Sequence, residues 1–156
     1  MENCCSGLEI ACGVQPACKK CGEPGRAVWR QTVVHHVKSE KLALIGNAEY
    51  KFCATKSCPV VYYAEGDQEF IVTDVRELVT SKSEGDDRPL CYCFGFTEGD
   101  LRQEIERTGK SKAPAQISQF IKERLCACDT RNPSGVCCLG GVIKAVKQLQ
   151  GESVEG

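Results

Sequence analysis

The chain has little methionine, no long apolar run and almost no net charge. Its only methionine is Met1, and 20 lysines and arginines against 21 acidic residues give a net charge of −1 over 156 residues. No stretch of about eighteen apolar residues is present, so the sequence predicts no membrane insertion. The first residues lack the basic and apolar parts of a secretory signal, and we expect a cytoplasmic location. Without a basic stripe, nucleic acid is not expected as a partner.

Sequence signatures of enzymes are also missing. We find no Ser/His/Asp arrangement, no phosphate-binding P-loop and no dinucleotide-binding glycine fingerprint. We therefore expect a metal-binding and electron-transfer protein rather than an enzyme. Metal-reductase activity is the one reaction that this expectation leaves open.

Cysteine, by contrast, is abundant. Thirteen cysteines in 156 residues is a density typical of disulfide scaffolds or of metal proteins. In the reducing compartment that we expect, dense cysteines indicate metal ligation more often than disulfides. The odd number of cysteines agrees with that interpretation.

Two cysteine pairs in the first half have the spacing of a zinc site. The first is Cys18-x-x-Cys21-Gly22, where the glycine relieves the tight turn of a knuckle, and the second is Cys53-x4-Cys58. Together they predict a closed, tetrahedral Cys4 zinc site. A thioredoxin-type redox motif would be expected near a βαβ pattern, which is not apparent here. Four thiolates on iron, as in a rubredoxin-like site, is the minor alternative.

The residues around these pairs have the composition of strands. Ala27–Val37 is rich in valine and threonine with partial alternation, and Val60–Tyr63 and Phe70–Val72 follow the second pair. We predict a small antiparallel sheet clamped by zinc. Because such a sheet buries little core, the metal would contribute directly to its stability.

Histidine is scarce, and the two residues are adjacent, at His35 and His36. Adjacent strand residues point to opposite faces, so the pair cannot readily hold one ion together, and we interpret both as strand residues. The alternative is that one of them replaces a cysteine as a metal ligand. We expect Trp29, the single tryptophan, to lie in the core.

The second half carries a different cysteine arrangement. Cys91-x-Cys93 places two thiolates on one short loop, and further cysteines follow after a helical interval, at Cys126, Cys128, Cys137 and Cys138. Two thiolates from each group can hold the two irons of a [2Fe–2S] cluster, which takes four cysteine ligands. The spacing differs from that of plant-type ferredoxins. It does not by itself exclude Cys126 and Cys137 as ligands.

Helix signals surround these cysteines. Thr97, followed by acidic residues, is a predicted N-cap, and Gly109 is a stop signal for the same helix. Further helices are predicted from about Pro114 and after Cys138, each with apolar residues at helical spacing. The cysteine loops would then precede helix N-termini, whose partial positive charge suits an anionic cluster. A strong turn signal at Asn132-Pro133-Ser134-Gly135 would fold the chain around that cluster.

Both halves resemble one protein family. Cys91-x-Cys93 and the run Cys128…Asn132-Pro133-Ser134-Gly135-Val136-Cys137-Cys138 resemble the bacterioferritin-associated ferredoxin-like [2Fe–2S] domain, and more closely its version in the N-terminal half of CopZ-type copper chaperones. Cys18-x-x-Cys21 and the run from Tyr50 to Tyr63 resemble the zinc-binding domain of the same proteins. The resemblance covers about Ala17 to Leu149. It implies that the cluster ligands are Cys91, Cys93, Cys128 and Cys138.

The fold class that follows is α+β, with a small antiparallel β-sheet zinc-knuckle region followed by a helical [2Fe–2S] region. We divide the chain into five parts, which are a flexible extension 1–16 with Cys4, Cys5 and Cys12, the zinc-binding region 17–80, a polar linker 81–90, the helical region 91–150 and a tail 151–156.

The resemblance implies a redox metallochaperone component for copper or another soft metal. Its cluster would pass one electron, for example to reduce Cu(II) to Cu(I), and exposed thiolates would hold the product for a partner such as a copper-transporting ATPase. The Met-x-Cys-x-x-Cys copper loop of the family is absent, so we expect a separate copper-loop domain, on another protein or on a longer form of this one.

Cu⁺ would then bind at the thiols of Cys4, Cys5 and Cys12, or at the spare Cys126 and Cys137. The alternative function is an electron-transfer or regulatory ferredoxin-like module that docks on a redox partner and does not handle copper.

Overall fold

The structure, a computed structural model, describes residues 17–151 and begins with a small antiparallel sheet. Its four strands lie in the order β1-β2-β3-β4, at Arg26–Val28, Tyr50–Phe52, Val60–Tyr63 and Glu69–Ile71. Val28 lies opposite Tyr50, and Phe52 lies opposite Tyr62. The predicted α+β class, with a sheet first and helices after it, is confirmed.

A helix replaces most of the strand predicted over Ala27–Val37. Arg30–His36 forms helix α1, and its buried residues are Thr32, Val33 and His36. Burial at positions i, i+1 and i+4 defines one face of a helix, whereas a strand would bury alternate residues. The strand prediction was wrong because β-branched composition is a weak preference that the packing of this face overrides.

Two further sequence interpretations in this segment are corrected. Trp29, the N-cap residue of α1, is 55% exposed, so it does not lie in the core. His35 is exposed and His36 is buried on α1, so the two are not strand residues. The core of this region instead contains aliphatic and aromatic residues from the sheet and α1, among them Val33, Val37, Tyr50, Val61, Tyr62 and Phe70.

The connections of the first region are short 3-10 helices, at Ser39–Leu44, Val72–Asp74 and Thr80–Lys82. The last of these enters the segment 81–90, which the sequence suggested was a polar linker. Here the side chain of Lys82 donates to the carbonyl oxygens of Thr55 and Cys58. Arg88 donates to the carbonyl oxygen of Thr80 and pairs with Glu98. The polar residues of this segment are thus anchored to both neighbouring regions.

The second region is a hairpin followed by helices. Strands β5 and β6 pair antiparallel, and the elements are β5 Pro89–Cys91, β6 Phe96–Thr97, α2 Glu98–Thr108, α3 Ala113–Lys122, α4 Cys128–Arg131 and α5 Leu139–Leu149. The side chain of Thr97 accepts from the amide of Asp100, whose carboxylate accepts from the amide of Thr97. Gly109 ends α2 at φ 84°. Both predicted signals are confirmed.

The helices of this region pack their apolar faces into a second core. That core includes Leu90, Leu101, Ile117, Val142 and Val146 together with three cysteine side chains. Leu125 lies beyond the end of α3 and is 57% exposed, so it does not belong to this core. Within residues 17–151, no helix is long and apolar enough to cross a bilayer.

Candidate metal centres

Two tight turns position the four thiols of the first region. In the first turn the carbonyl oxygen of Cys18 accepts from the amide of Gly22 at 2.7 Å, and Gly22 has φ 79°, which glycine adopts without strain. The second turn is the connection between β2 and β3. It carries Cys53 directly after β2 and Cys58 just before β3.

The sulfur atoms of the two turns meet. The four Sγ atoms of Cys18, Cys21, Cys53 and Cys58 all lie within 4.8 Å of one another. Sγ of Cys18 is 3.8 Å from Sγ of Cys58, and Sγ of Cys21 is 3.7 Å from Sγ of Cys53. Tetrahedral zinc with Zn–S bonds of about 2.3 Å needs sulfurs about 3.8 Å apart. The structure therefore brings the four predicted ligands together as a Cys4 zinc-binding site.

The thiols of this site differ in their proton affinity. The hydroxyl of Thr55, 3.3 Å from Sγ of Cys21, and the backbone of Glu23 lower the pKa of Cys21 to about 6. Burial raises the pKa of Cys58 to about 12 and also raises that of Cys18. Cys21 is thus the first thiolate available to an entering cation, whose charge then favours deprotonation of the buried thiols.

A lysine that the sequence analysis missed covers the site. Nζ of Lys82 donates to the carbonyl oxygens of Thr55 at 2.6 Å and of Cys58 at 2.8 Å. The same atom lies 3.9 Å from Sγ of Cys53. A positive charge here offsets part of the negative charge of four thiolates around a divalent ion. No spacing signal identifies Lys82, because it is distant from all four ligands in sequence.

A hairpin and two short turns bring the cysteines of the second region together. Cys91 ends β5, and Cys93 lies in the turn to β6, where the amide of Gly95 donates to the carbonyl oxygen of Cys91 at 3.0 Å. Cys128 begins α4, and Cys138 is the N-cap residue of α5. The second cysteine loop thus leads directly into α5, as predicted, whereas the turn with Cys91 and Cys93 leads first into β6 and only then into α2.

The four thiols that the family resemblance implied are in contact. Sγ of Cys93 is 3.6 Å from Sγ of Cys128, and Cys138 lies close enough to Cys91 and to Cys128 to lower the pKa of both. The amide of Ala127 donates to Sγ of Cys93 at 3.1 Å. Four thiols at the edge of an apolar core, with an amide donor to one sulfur, are a donor set that fits an iron–sulfur cluster.

These contacts give the four thiols different pKa values. Hydrogen bonds from Cys138 lower the pKa of Cys91 to about 7 and that of Cys128 to about 6. The same contacts raise the pKa of Cys138, and burial raises that of Cys93 to about 12. Full deprotonation of such a crowded set needs a cationic centre among the sulfurs.

Side chains of the first region hold the loop that carries Cys128. The hydroxyl of Thr32 donates to the carbonyl oxygen of Asp129 at 2.6 Å, and Nε2 of His36 donates to that of Thr130 at 2.9 Å. Because α4 is a single turn, its last carbonyl groups have no partner within the helix. α1 therefore supplies the donors that α4 lacks.

Two cysteines of the described residues, Cys126 and Cys137, belong to neither set of four. Cys126 is half-buried, and Cys137 is exposed although its neighbour Cys138 is buried. Burial first, and then the nearby Cys128 and Cys137, raise the pKa of Cys126. The thiols predicted for soft metals at Cys4, Cys5 and Cys12 lie outside the described residues.

The fold and the Cys4 site define a zinc-binding metalloprotein. The family profile of the CopZ zinc-binding domain matches residues 15–76. "Copper chaperone CopZ" of Archaeoglobus fulgidus is 33% identical over 143 residues, which cover 85% of this chain and 68% of that protein. The X-ray structure of the N-terminal domain of Archaeoglobus fulgidus CopZ has a TM-score of 0.69 at 32% identity, covering 83% of this chain and 96% of that one. The chain belongs to the family of CopZ-type copper chaperones, as the sequence motifs indicated.

Proposed function

We propose that this protein is a cytoplasmic, [2Fe–2S]- and zinc-binding redox metallochaperone component that handles copper. Membership of the CopZ family and the Cys4 site support the metal-handling part of the proposal. The observation that carries the redox part is the contact among Cys91, Cys93, Cys128 and Cys138 beside the second core.

In this proposal the two metal centres have different roles. The zinc thiols, three of them buried, fill all four positions of a tetrahedral ion, so zinc stabilises the small sheet. Cys91, Cys93, Cys128 and Cys138 would hold the cluster, which when bound supplies a one-electron couple able to convert Cu(II) to Cu(I). The amide of Ala127 stabilises the negative charge on Sγ of Cys93, and the apolar core limits access of water to the other sulfurs.

The division of the chain is part of the same proposal. Residues 17–80 form the structural zinc region, 91–150 form the redox region, and 81–90 join them. Cu(I) is the cargo, and a copper-transporting ATPase or a separate copper-loop domain is the partner that receives it. A reductase would supply the electron.

The test begins with anaerobically purified protein. We expect about one zinc, two irons and two sulfides per chain, and an EPR signal that appears only after reduction with dithionite. Cu(II) added to the reduced protein should reoxidise it and yield Cu(I). Reoxidation by dioxygen but not by Cu(II) would favour the alternative, a ferredoxin-like electron-transfer or regulatory module. Zinc without iron would overturn the cluster assignment.

A further inference from the structure

Beside the second region's thiols, the structure contains an open cavity of about 540 Å³ that the proposed function does not use. Two of its lining residues, Cys126 and Cys137, belong to neither set of four thiols. Cys128, Trp29 and Asp129 also line this cavity. The two spare thiols and one thiol of the proposed cluster set thus line the same space.

The local backbone explains why these two thiols reach the cavity. Cys138 is the N-cap residue of α5 and is buried, which leaves the preceding Cys137 exposed. Cys128 begins α4 and is buried, whereas Cys126, before the helix, is half-buried. Each spare cysteine is thus displaced from a buried one by one or two residues. Cys137 is exposed, and Cys126, which packs partly against the second core, still reaches the cavity.

We propose that Cys126 and Cys137 bind one Cu(I) ion in this cavity. Thiolates are the ligands that soft Cu(I) selects, and two thiolates from separate segments can hold it in a low-coordinate site. Binding releases the protons of the two thiols. The proposal rests on the proposed function, because it names the place where the copper cargo is held.

The rest of the cavity suits a cargo that must enter and leave. Trp29 is 55% exposed, so its indole is available to the cavity and can attract a cation through its ring. Asp129 adds negative charge. The zinc site is closed by comparison, since three of its four thiols are buried. An open site of two thiols permits transfer of Cu(I) to a partner's thiols by ligand exchange.

The experiment measures Cu(I) bound by the full chain with its zinc and iron in place. Bathocuproine disulfonate competes for Cu(I) under anaerobic conditions, and the emission of Trp29, the only tryptophan, reports metal in the cavity. The variant is C126S/C137S, and the matched control is C4S/C5S/C12S. We expect C126S/C137S to lose about one equivalent of tight Cu(I) and the quenching of Trp29, while the control keeps both.

Three results would overturn the proposal. Cu(I) binding and quenching could persist in C126S/C137S, or they could be lost only in C4S/C5S/C12S. The visible absorption of the cluster could vanish in C126S/C137S, which would make these residues cluster ligands. Reoxidation of the reduced wild-type protein by Cu(II) is measured separately. Its failure would reject the proposed redox function while the Cu(I) stoichiometry still tests this site.

Discussion

The phenol of Tyr62 donates a 2.6 Å hydrogen bond to the carbonyl oxygen of Pro133. Tyr62 is completely buried on β3 of the zinc-binding sheet, and Pro133 is buried in the turn between Cys128 and Cys138. A side chain of the zinc region thus fixes the loop that carries two of the proposed cluster ligands. Stability of that loop is therefore coupled to the sheet.

Replacing Tyr62 with phenylalanine should weaken both the fold and the cluster loop. Y62F leaves the carbonyl of Pro133 buried without this donor, which costs about 1–3 kcal/mol. We expect a lower denaturant midpoint and faster loss of visible cluster absorption in the presence of a chelator.

The matched control for that change is Y50F. The hydroxyl of Tyr50 bonds to Gln68 at 2.6 Å and to the amide of Gly46, all within the first region, and Tyr50 is also buried. Y50F should lower stability similarly but leave the rate of cluster loss closer to that of the wild type. Equal rates in Y62F and Y50F would show that the contact with Pro133 has no specific effect on the loop.

Acidification should destabilise the protein through His36. Burial, more than the neighbouring His35, lowers the pKa of His36 to about 4, against an ordinary value of 6.5. The unfolded chain therefore binds a proton that the folded chain does not, so stability is complete above pH 6.5 and declines as the pH falls toward 4. Glu77, 3.8 Å from Nδ1, is too exposed to reverse this.

The measurement for His36 is the denaturant midpoint between pH 7.5 and pH 5 for the wild type, H36Q and H35Q. Across its whole window the contribution of His36 is at most about 3 kcal/mol. H36Q should be less stable at neutral pH but show a shallower decline. H35Q changes an exposed residue and removes only the lesser cause of the lowered pKa of His36, so it should keep most of the wild-type slope. Parallel curves for the wild type and H36Q would contradict the assignment.

Loss of the charge at Lys82 should make zinc easier to remove. K82M keeps much of the side-chain length but removes the donor to Thr55 and Cys58 and the charge near Sγ of Cys53. Residues just outside a metal's ligands typically change affinity about 10–100-fold, and we expect zinc transfer to a chromogenic chelator to accelerate by about tenfold.

K56M is the control for Lys82, because Lys56 pairs with Glu84 on the surface. Exposed ion pairs contribute little, so K56M should release zinc at the wild-type rate. If K82M and K56M behaved alike, Lys82 would have no direct effect on the site.

The two metal centres should depend on each other unequally. C93S removes a proposed cluster ligand from a turn of the second region, so we expect iron to be lost and zinc to remain.

C18S breaks the zinc site and loosens the sheet. It thereby removes the support that Thr32, His36 and Tyr62 give to the loop around Cys128. Metal analysis of purified C18S should therefore show loss of both metals. Retention of iron in C18S would mean that the second region holds its loop alone.

Sequence reasoning was most successful where a short motif acts locally. The knuckle Cys18-x-x-Cys21-Gly22 and the capping residue Thr97 could be recognised because their partners are a few residues away, or are a second motif of known spacing. It was wrong for Arg30–His36, where the same residues suit a strand or a helix and packing makes the choice. It could not find Lys82, whose contacts join segments remote in sequence.

The sequence by itself determined the cysteine spacing, and with it the zinc site, the family and the α+β class, because ligand geometry and helix caps restrict neighbouring residues. Only the tertiary structure decided that α1 is a helix and that His36 and Tyr62 meet the loop before Cys138. It also decided which thiols are buried and which, like Cys137, face the surface. Burial and long-range hydrogen bonds depend on how the two regions pack, and no local pattern in the chain specifies that packing.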